Sequence, residues 1–160
     1  MRQRLRQFLE AGRTPSEADL AFARRYLQPD LFSLFRSQHP RDMVHGAATA
    51  RWLVERGYEE PDLVIAGFVH DVAKGFQRRW DRAAFVLCSR TGVAGWAANE
   101  ESRLEIRRAM DRTRRHSERG AAMLLKAGAS ARVAELTALH HGPPGGDRVL
   151  ALLQEADAAS

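Results

Sequence analysis

An apolar segment of seven residues, 63–69, is followed directly by the charged pair His70-Asp71. Leu-Val-Ile-Ala-Gly-Phe-Val predicts a helix that is buried on nearly all sides, because no face of it is polar. An ionised carboxylate on such a helix is costly unless it is paired or bound to a metal ion. The segment is also far too short to span a bilayer. It therefore predicts a core helix that carries a polar site.

Helical patterning continues along most of the chain. Apolar residues recur at helical spacing, and no segment shows sustained alternation of β-branched and polar residues. The pattern predicts an all-α protein. Predicted helices start near Thr14-Pro15-Ser16-Glu17, Pro29, Asp42, Pro61, Ser117, Ser130 and Asp147, with further helices expected over 80–87 and 100–115.

Composition supports one folded domain. The 160 residues are 44% hydrophobic and 28% charged, which excludes a disordered chain and predicts a single domain over residues 1–160. One cysteine, Cys88, excludes an internal disulfide framework and a cysteine-rich zinc site. No secretory signal is evident, so we expect a cytoplasmic protein without membrane association. The net charge of +5 favours anionic partners but does not choose among them.

A second polar residue continues an apolar stripe near the end of the sequence. Leu150, Leu153 and Asp157 follow the spacing i, i+3, i+7, so Asp157 is expected to face the core, where a carboxylate requires a cation. Taken one at a time, each of these residues is more simply explained by a role in which it binds no ligand: His45, His116, the pair His140-His141 and Asp157. Their order along the chain is more informative than any single position.

That order resembles the signature of the HD-domain metal-dependent phosphohydrolases, written H…HD…D. His45, His70-Asp71 and Asp157 match it in sequence. The resemblance covers residues 41–158 and implies a helical bundle of the HD-domain type. Residues 1–40 would then form an N-terminal helical extension that serves as a lid, a packing layer or the contact surface of a homodimer.

Further matches point to binuclear members of this family. His116 stands in His-Ser-Glu-Arg-Gly, which is similar to the HPxxG segment of the HD-GYP phosphodiesterases, and His140-His141 is similar to their double histidine. Residues 70–74 resemble their HDxGK motif, with alanine replacing glycine. The GYP motif itself is replaced by Gly-Pro-Pro-Gly-Gly, which argues against cyclic-dinucleotide specificity. The chain is more similar to compact stand-alone members, such as those that hydrolyse diadenosine tetraphosphate.

The resemblance implies a set of roles. Asp71 would bridge two divalent transition-metal ions, with iron or manganese favoured over zinc or nickel. A hydroxide held between the two ions would attack a nucleotide or a related phosphoester, and Lys74 would contact the substrate phosphate. The implied ligands are His45, His70 and Asp157 for the first ion and His116, His140 and His141 for the second.

The arginines offer less specific evidence. Arg78, Arg79 and Arg115 are candidate substrate-binding residues because arginine pairs readily with phosphate. An equally simple interpretation of the arginine-rich segment is a solvated helix face. Nucleic-acid binding is supported by net charge alone and is not expected. Two alternative functions stay open: a metal- or nucleotide-binding signalling module without turnover, and a diiron oxygenase.

Overall fold

A computed structural model describes residues 14–74 and 105–160, and within these ranges the fold is entirely helical, as predicted. The N-terminal part contributes four helices and the C-terminal part three. They are α1 (Glu17–Tyr26), α2 (Pro29–Arg36), α3 (Pro40–Glu55), α4 (Pro61–Val69), α5 (Glu105–Lys126), α6 (Ala131–Leu139) and α7 (Arg148–Ala159).

Most helix starts follow from local capping chemistry. Ser16 and Asp19 form a reciprocal capping box at α1, two residues later than the Thr14 start suggested by sequence. Ser130 caps α6 and Asp147 caps α7, as predicted. The expectation that α3 starts at Asp42 is wrong: His39 is its N-cap.

The long helix α5 replaces two shorter predicted ones. A break before Ser117 was expected, but the helix runs without interruption from Glu105 to Lys126. His116 therefore lies in the interior of a helix and is not a residue of its first turn. The helix expected over 80–87 and the start of that expected over 100–115 lie outside the described residues.

Helix α4 lies at the centre of the bundle. It packs against α3, α6, α7 and α1, and its residues Val64, Ala66, Phe68 and Val69 have no exposed surface. This burial follows from the apolar run that defines the segment. The described helices of the N-terminal extension, α1 and α2, cover one side of α4, where Phe22 and Phe35 have ring centroids 5.1 and 5.7 Å from that of Phe68.

Three glycines let the helices approach closely. A Cβ added to Gly46 of α3 would lie 2.3 Å from the carbonyl oxygen of Phe68 in α4, and one added to Gly67 would lie 3.1 Å from the Cα of Ala50. A Cβ at Gly120 of α5 would lie 3.2 Å from the Thr137 side chain in α6. Each close approach lies within one helical turn of a candidate ligand histidine.

Over residues 14–74 and 105–160, no helix is long and apolar enough to cross a bilayer.

Candidate metal centre

The centre is built where α4 ends. The apolar pattern continues through Val72 and Ala73, but the helix stops at Val69, and His70 is its C-cap. Residues 71–74 form a turn in which the Lys74 amide donates to the Asp71 carbonyl. His70 still has helical backbone angles and donates its amide to the Ala66 carbonyl, whereas Asp71 lies in the turn that follows. Both side chains are buried against the neighbouring helices.

A first group of candidate ligands joins α3, α4 and α7. His45 Nε2 lies 2.7 Å from Asp157 Oδ1, and His70 Nε2 lies 3.3 Å from the same oxygen. His70 is fully buried, whereas the His45 and Asp157 side chains are about one quarter exposed. These three residues, separated by up to 112 positions in the sequence, thus converge on one point.

A second group joins the turn after α4 to α5 and to the end of α6. His116 Nε2 and His140 Nε2 lie 3.5 and 3.6 Å from Asp71 Oδ1. His141 completes the group, with its ring centroid 3.9 Å from that of His140 and 5.1 Å from that of His116. Helix α6 ends at Leu139, so the two adjacent histidines are not held 100° apart on a helix.

Asp71 lies between the two groups. Its Oδ1 faces His116 and His140, while its Oδ2 lies 3.5 Å from His70 Nε2 and accepts a hydrogen bond from Lys74 Nζ. One carboxylate therefore presents one oxygen to each group. This is the placement that a carboxylate bridging two cations requires.

Two backbone carbonyls determine which ring nitrogen of His70 and of His140 is available as a metal ligand. His70 Nδ1 lies 3.1 Å from the Gly67 carbonyl, and His140 Nδ1 lies 2.7 Å from the Thr137 carbonyl. In each case the carbonyl accepts, so Nδ1 carries a proton and the neutral ring has its lone pair on Nε2. Hydrogen bonds of this kind orient histidines that bind metals.

Three buried atoms at the centre lack any hydrogen-bond partner within the described parts of the chain: His70 Nε2, His140 Nε2 and Asp71 Oδ1. Buried polar atoms are almost always satisfied, so each of these atoms needs an explanation. His70 Nε2 faces the carboxylates of Asp71 and Asp157, so a positive charge is required at this point, and either a proton on the ring or a metal ion bound by it would supply that charge. The donor set therefore fits a bound metal ion.

The separations between donors also suit metal binding. Two ligand atoms that each lie about 2.1 Å from a common ion are about 3.0 Å apart across an octahedral edge and about 3.4 Å apart across a tetrahedral one. The distances from His70, His116 and His140 to their facing carboxylate oxygens are 3.3–3.6 Å. Only small movements would bring these atoms to ligand distance.

The electrostatics keep the carboxylates ionised. Burial acts to raise the pKa of Asp71, but His70, His116, His140 and the Lys74 ammonium outweigh it and hold the pKa well below its usual range. Burial likewise opposes ionisation of Asp157, and its neighbours His45 and His70 reverse the effect and lower the pKa.

His141 is held in the neutral form. Burial lowers its pKa to about 4, and the nearby His140, His116 and Lys74 add to the effect. A ring that is neutral at pH 7 is free to use a nitrogen lone pair as a metal ligand. Asp157 in the first group is therefore ionised, and His141 in the second group is neutral, and these are the protonation states in which the two side chains bind a metal ion.

The candidate substrate-binding residues are only partly described. Lys74 is about one quarter exposed and pairs with Asp71, so it lies beside the centre with part of its side chain open to solvent. Arg78, Arg79 and the side chain of Arg115 lie outside the described residues.

Sequence reasoning missed the groups that support these donors. The carbonyls of Gly67 and Thr137 and the amide of Gln154, which bonds to the Gly142 carbonyl, were not identified. The two carbonyls share a signal that is recognisable afterwards: each lies three residues before a histidine at a helix end. Gln154 has no such signal, because its partner is 12 positions away in sequence.

A bundle of helices around a cluster of histidines and aspartates places this protein in a class of helical proteins equipped to bind metal ions. The family model for the HD domain matches residues 36–160, more than three quarters of the chain, and the chain belongs to the HD-domain family. HD domains are commonly metal-dependent hydrolases. No curated protein and no solved structure matches the chain significantly.

Proposed function

We propose that this HD-domain protein is a phosphohydrolase that uses two divalent transition-metal ions to cleave a nucleotide or a related phosphoester. His45, His70 and Asp157 would hold the first ion. His116, His140 and His141 would hold the second, with Asp71 shared between the two. The donor set contains imidazoles and carboxylates without thiolate, which suits iron, manganese, zinc or nickel.

The observation that carries this proposal is a set of buried potential ligand atoms that have no hydrogen bond within residues 14–74 and 105–160, namely His70 Nε2, His140 Nε2 and Asp71 Oδ1. His140 Nε2 lies 3.6 Å from Asp71 Oδ1, and His70 Nε2 lies 3.5 Å from the other oxygen of the same carboxylate. A protein interior that served packing alone would pair these atoms or replace them with apolar groups. Cations between them would supply the missing partners for all three.

Divalent ions bound here would supply hydroxide from water at neutral pH and would neutralise the charge of a phosphate group. The chain itself contributes positioning. Asp71, ionised and buried, holds the two donor groups in a fixed relation, and the Gly67 and Thr137 carbonyls hold the His70 and His140 rings in the required tautomer. Lys74 places a cation at the edge of the centre, where it would contact a substrate phosphate.

Metal analysis combined with a panel of phosphoesters tests the proposal. The panel would contain nucleotides, dinucleoside polyphosphates, cyclic dinucleotides and a chromogenic phosphodiester, each assayed after loading with iron(II) or manganese(II). Two equivalents of metal and turnover of at least one substrate are expected. The variant Asp71→Asn should abolish both.

Asp62→Asn is the matched control, because it makes the same change on α4 at an exposed residue that pairs with Ser130, away from the centre. Metal binding without turnover of any phosphoester would favour a signalling module. Oxygen consumption by the iron-loaded protein would favour the diiron-oxygenase alternative. A chain that binds no metal would refute the proposal.

A further inference from the structure

The least constrained part of the centre is the segment that follows the histidine pair. Between α6 and α7 the chain runs through Gly142-Pro143-Pro144-Gly145-Gly146, and Gly145 and Gly146 have φ angles of 57° and 93°. The two prolines have no N–H to donate. The segment keeps two local backbone hydrogen bonds, from the Gly142 amide to the Leu139 carbonyl (2.7 Å) and from the Asp147 amide to the Pro144 carbonyl (2.8 Å). Contacts with the rest of the protein must hold the remainder, including the Gly142 carbonyl.

His141 depends on this segment more than the other histidines do. The His70 and His140 rings are each tied to a backbone carbonyl through Nδ1. Within the described ranges, no hydrogen bond holds the ring of His141, which is also the most exposed member of its group. Its orientation is therefore set by the path of the backbone on either side of it.

One side chain fixes that path immediately after His141. Gln154 of α7 donates a hydrogen bond of 2.7 Å from Nε2 to the carbonyl of Gly142. This carbonyl belongs to the Gly142–Pro143 peptide, whose nitrogen carries no hydrogen and cannot donate. A hydrogen bond to the carbonyl therefore holds the start of the segment in position. The far end of the segment is held separately, by Asp147, which caps α7 and accepts two hydrogen bonds from Arg132.

The position of Gln154 also ties the two groups together. It lies three residues before Asp157, so the two side chains lie on neighbouring positions of the same face of α7. One turn of α7 thus contributes Asp157 as a candidate ligand of the first group. The same turn contributes Gln154, which bonds to the backbone next to His141 of the second group.

From these contacts we infer that Gln154 is a positioning residue, which sets the orientation of His141 through the Gly142 carbonyl and thereby the affinity of the second metal position. The inference rests on the proposed function, since it requires two metal positions. Loss of a hydrogen bond made directly to a metal ligand weakens binding by about 10- to 100-fold, and Gln154, which acts one residue away from His141, is expected to reach the lower end of that range. The first position should be unaffected, because His45, His70 and Asp157 do not depend on the segment.

The test is a titration with cobalt(II) alone, followed by visible absorption, which reports the affinity and ligand geometry of each position without any need for turnover. Gln154→Met keeps the approximate shape but removes the donor, and Gln154→Glu replaces the donor with an acceptor. Both variants should bind the first equivalent as the wild type does and the second at least about 10-fold more weakly, with a changed spectrum. Glu155→Ala, at an exposed neighbouring residue of α7, is the control and should bind both equivalents normally.

The outcomes separate the inference from the proposed function. Wild-type protein that binds fewer than two equivalents overturns the binuclear centre and this inference with it. If the wild type binds two and both Gln154 variants retain wild-type affinity for the second, the inference alone fails. Equal weakening of both equivalents would show a general structural role and would also overturn it.

Discussion

Gly46→Ala should disrupt the crossing of α3 and α4 next to His45. The added Cβ would lie 2.3 Å from the Phe68 carbonyl oxygen, whereas ordinary contact begins at 3.4 Å, so the helices must separate by 3.4 − 2.3 = 1.1 Å. The obstructing atom is backbone and has no other rotamer. Overpacking of this kind costs about 1–3 kcal/mol, and the better helix propensity of alanine offsets about 1 kcal/mol.

We therefore expect the free energy of unfolding of Gly46→Ala, measured by urea denaturation, to fall by up to about 2 kcal/mol. A shift of about 1 Å also exceeds the tolerance of about 0.2 Å on metal–ligand distances. Metal analysis of the folded Gly46→Ala variant should consequently show a lower occupancy of the first metal position, beyond any loss caused by unfolded protein.

A graded control is available in Gly67→Ala at the same crossing. Its Cβ would lie 3.1 Å from the Ala50 Cα, so a movement of 3.4 − 3.1 = 0.3 Å suffices, and the variant should stay close to the wild type. Equal stability and full metal content in Gly46→Ala would refute the argument that close backbone approach positions His45.

Three further predictions concern the centre and the fold. Asp71→Ala should lose both metal equivalents, because one carboxylate serves both groups; retention of one full equivalent by metal analysis would show that it does not bridge. His116→Ala should keep one equivalent and lose most turnover, and unchanged stoichiometry would exclude His116 as a ligand. Asp19→Asn should lower the free energy of unfolding by about 1 kcal/mol at pH 7, because Asp19 completes the α1 capping box and pairs with Arg51. Burial opposes ionisation of Asp19, but its bonds to Ser16 and Arg51 lower the pKa below 3.8. Its contribution is therefore present above pH 3.8 and is lost as the pH falls through the folded pKa, and a difference between wild type and variant that does not shrink as the pH is lowered below 3.8 would contradict this.

The sequence alone was enough to predict the helical class, because helix caps and apolar spacing are local signals. It also singled out His45, His70, Asp71 and Asp157 as residues to be found together, because their order matches the H…HD…D signature of the HD-domain family. Their convergence in space depends on the tertiary structure, and the sequence supported it only through the family resemblance.

What escaped prediction depends on contacts between distant segments. The early end of α4 at Val69 has no local signal, because Val72 and Ala73 continue the apolar pattern. Whether Gly46 is a crossing point or a weak helix position is decided by Phe68, which belongs to another helix. In the sequence, Gln154 is an ordinary polar residue of α7. Its role depends on the path of the chain at Gly142, 12 positions away, which the sequence does not reveal.

The ends of α4 and α6 meet at the centre, with the ring centroids of their C-cap residues His70 and His140 5.1 Å apart. The carboxyl end of a helix carries a partial negative charge, so two such ends create a local field that attracts cations and repels anions. A phosphate group approaching this field before any metal has bound would meet repulsion from both helix ends and from two ionised carboxylates. For the proposed phosphohydrolase this implies an order of assembly, in which cations would enter first and invert the sign of the local potential before an anionic substrate could bind.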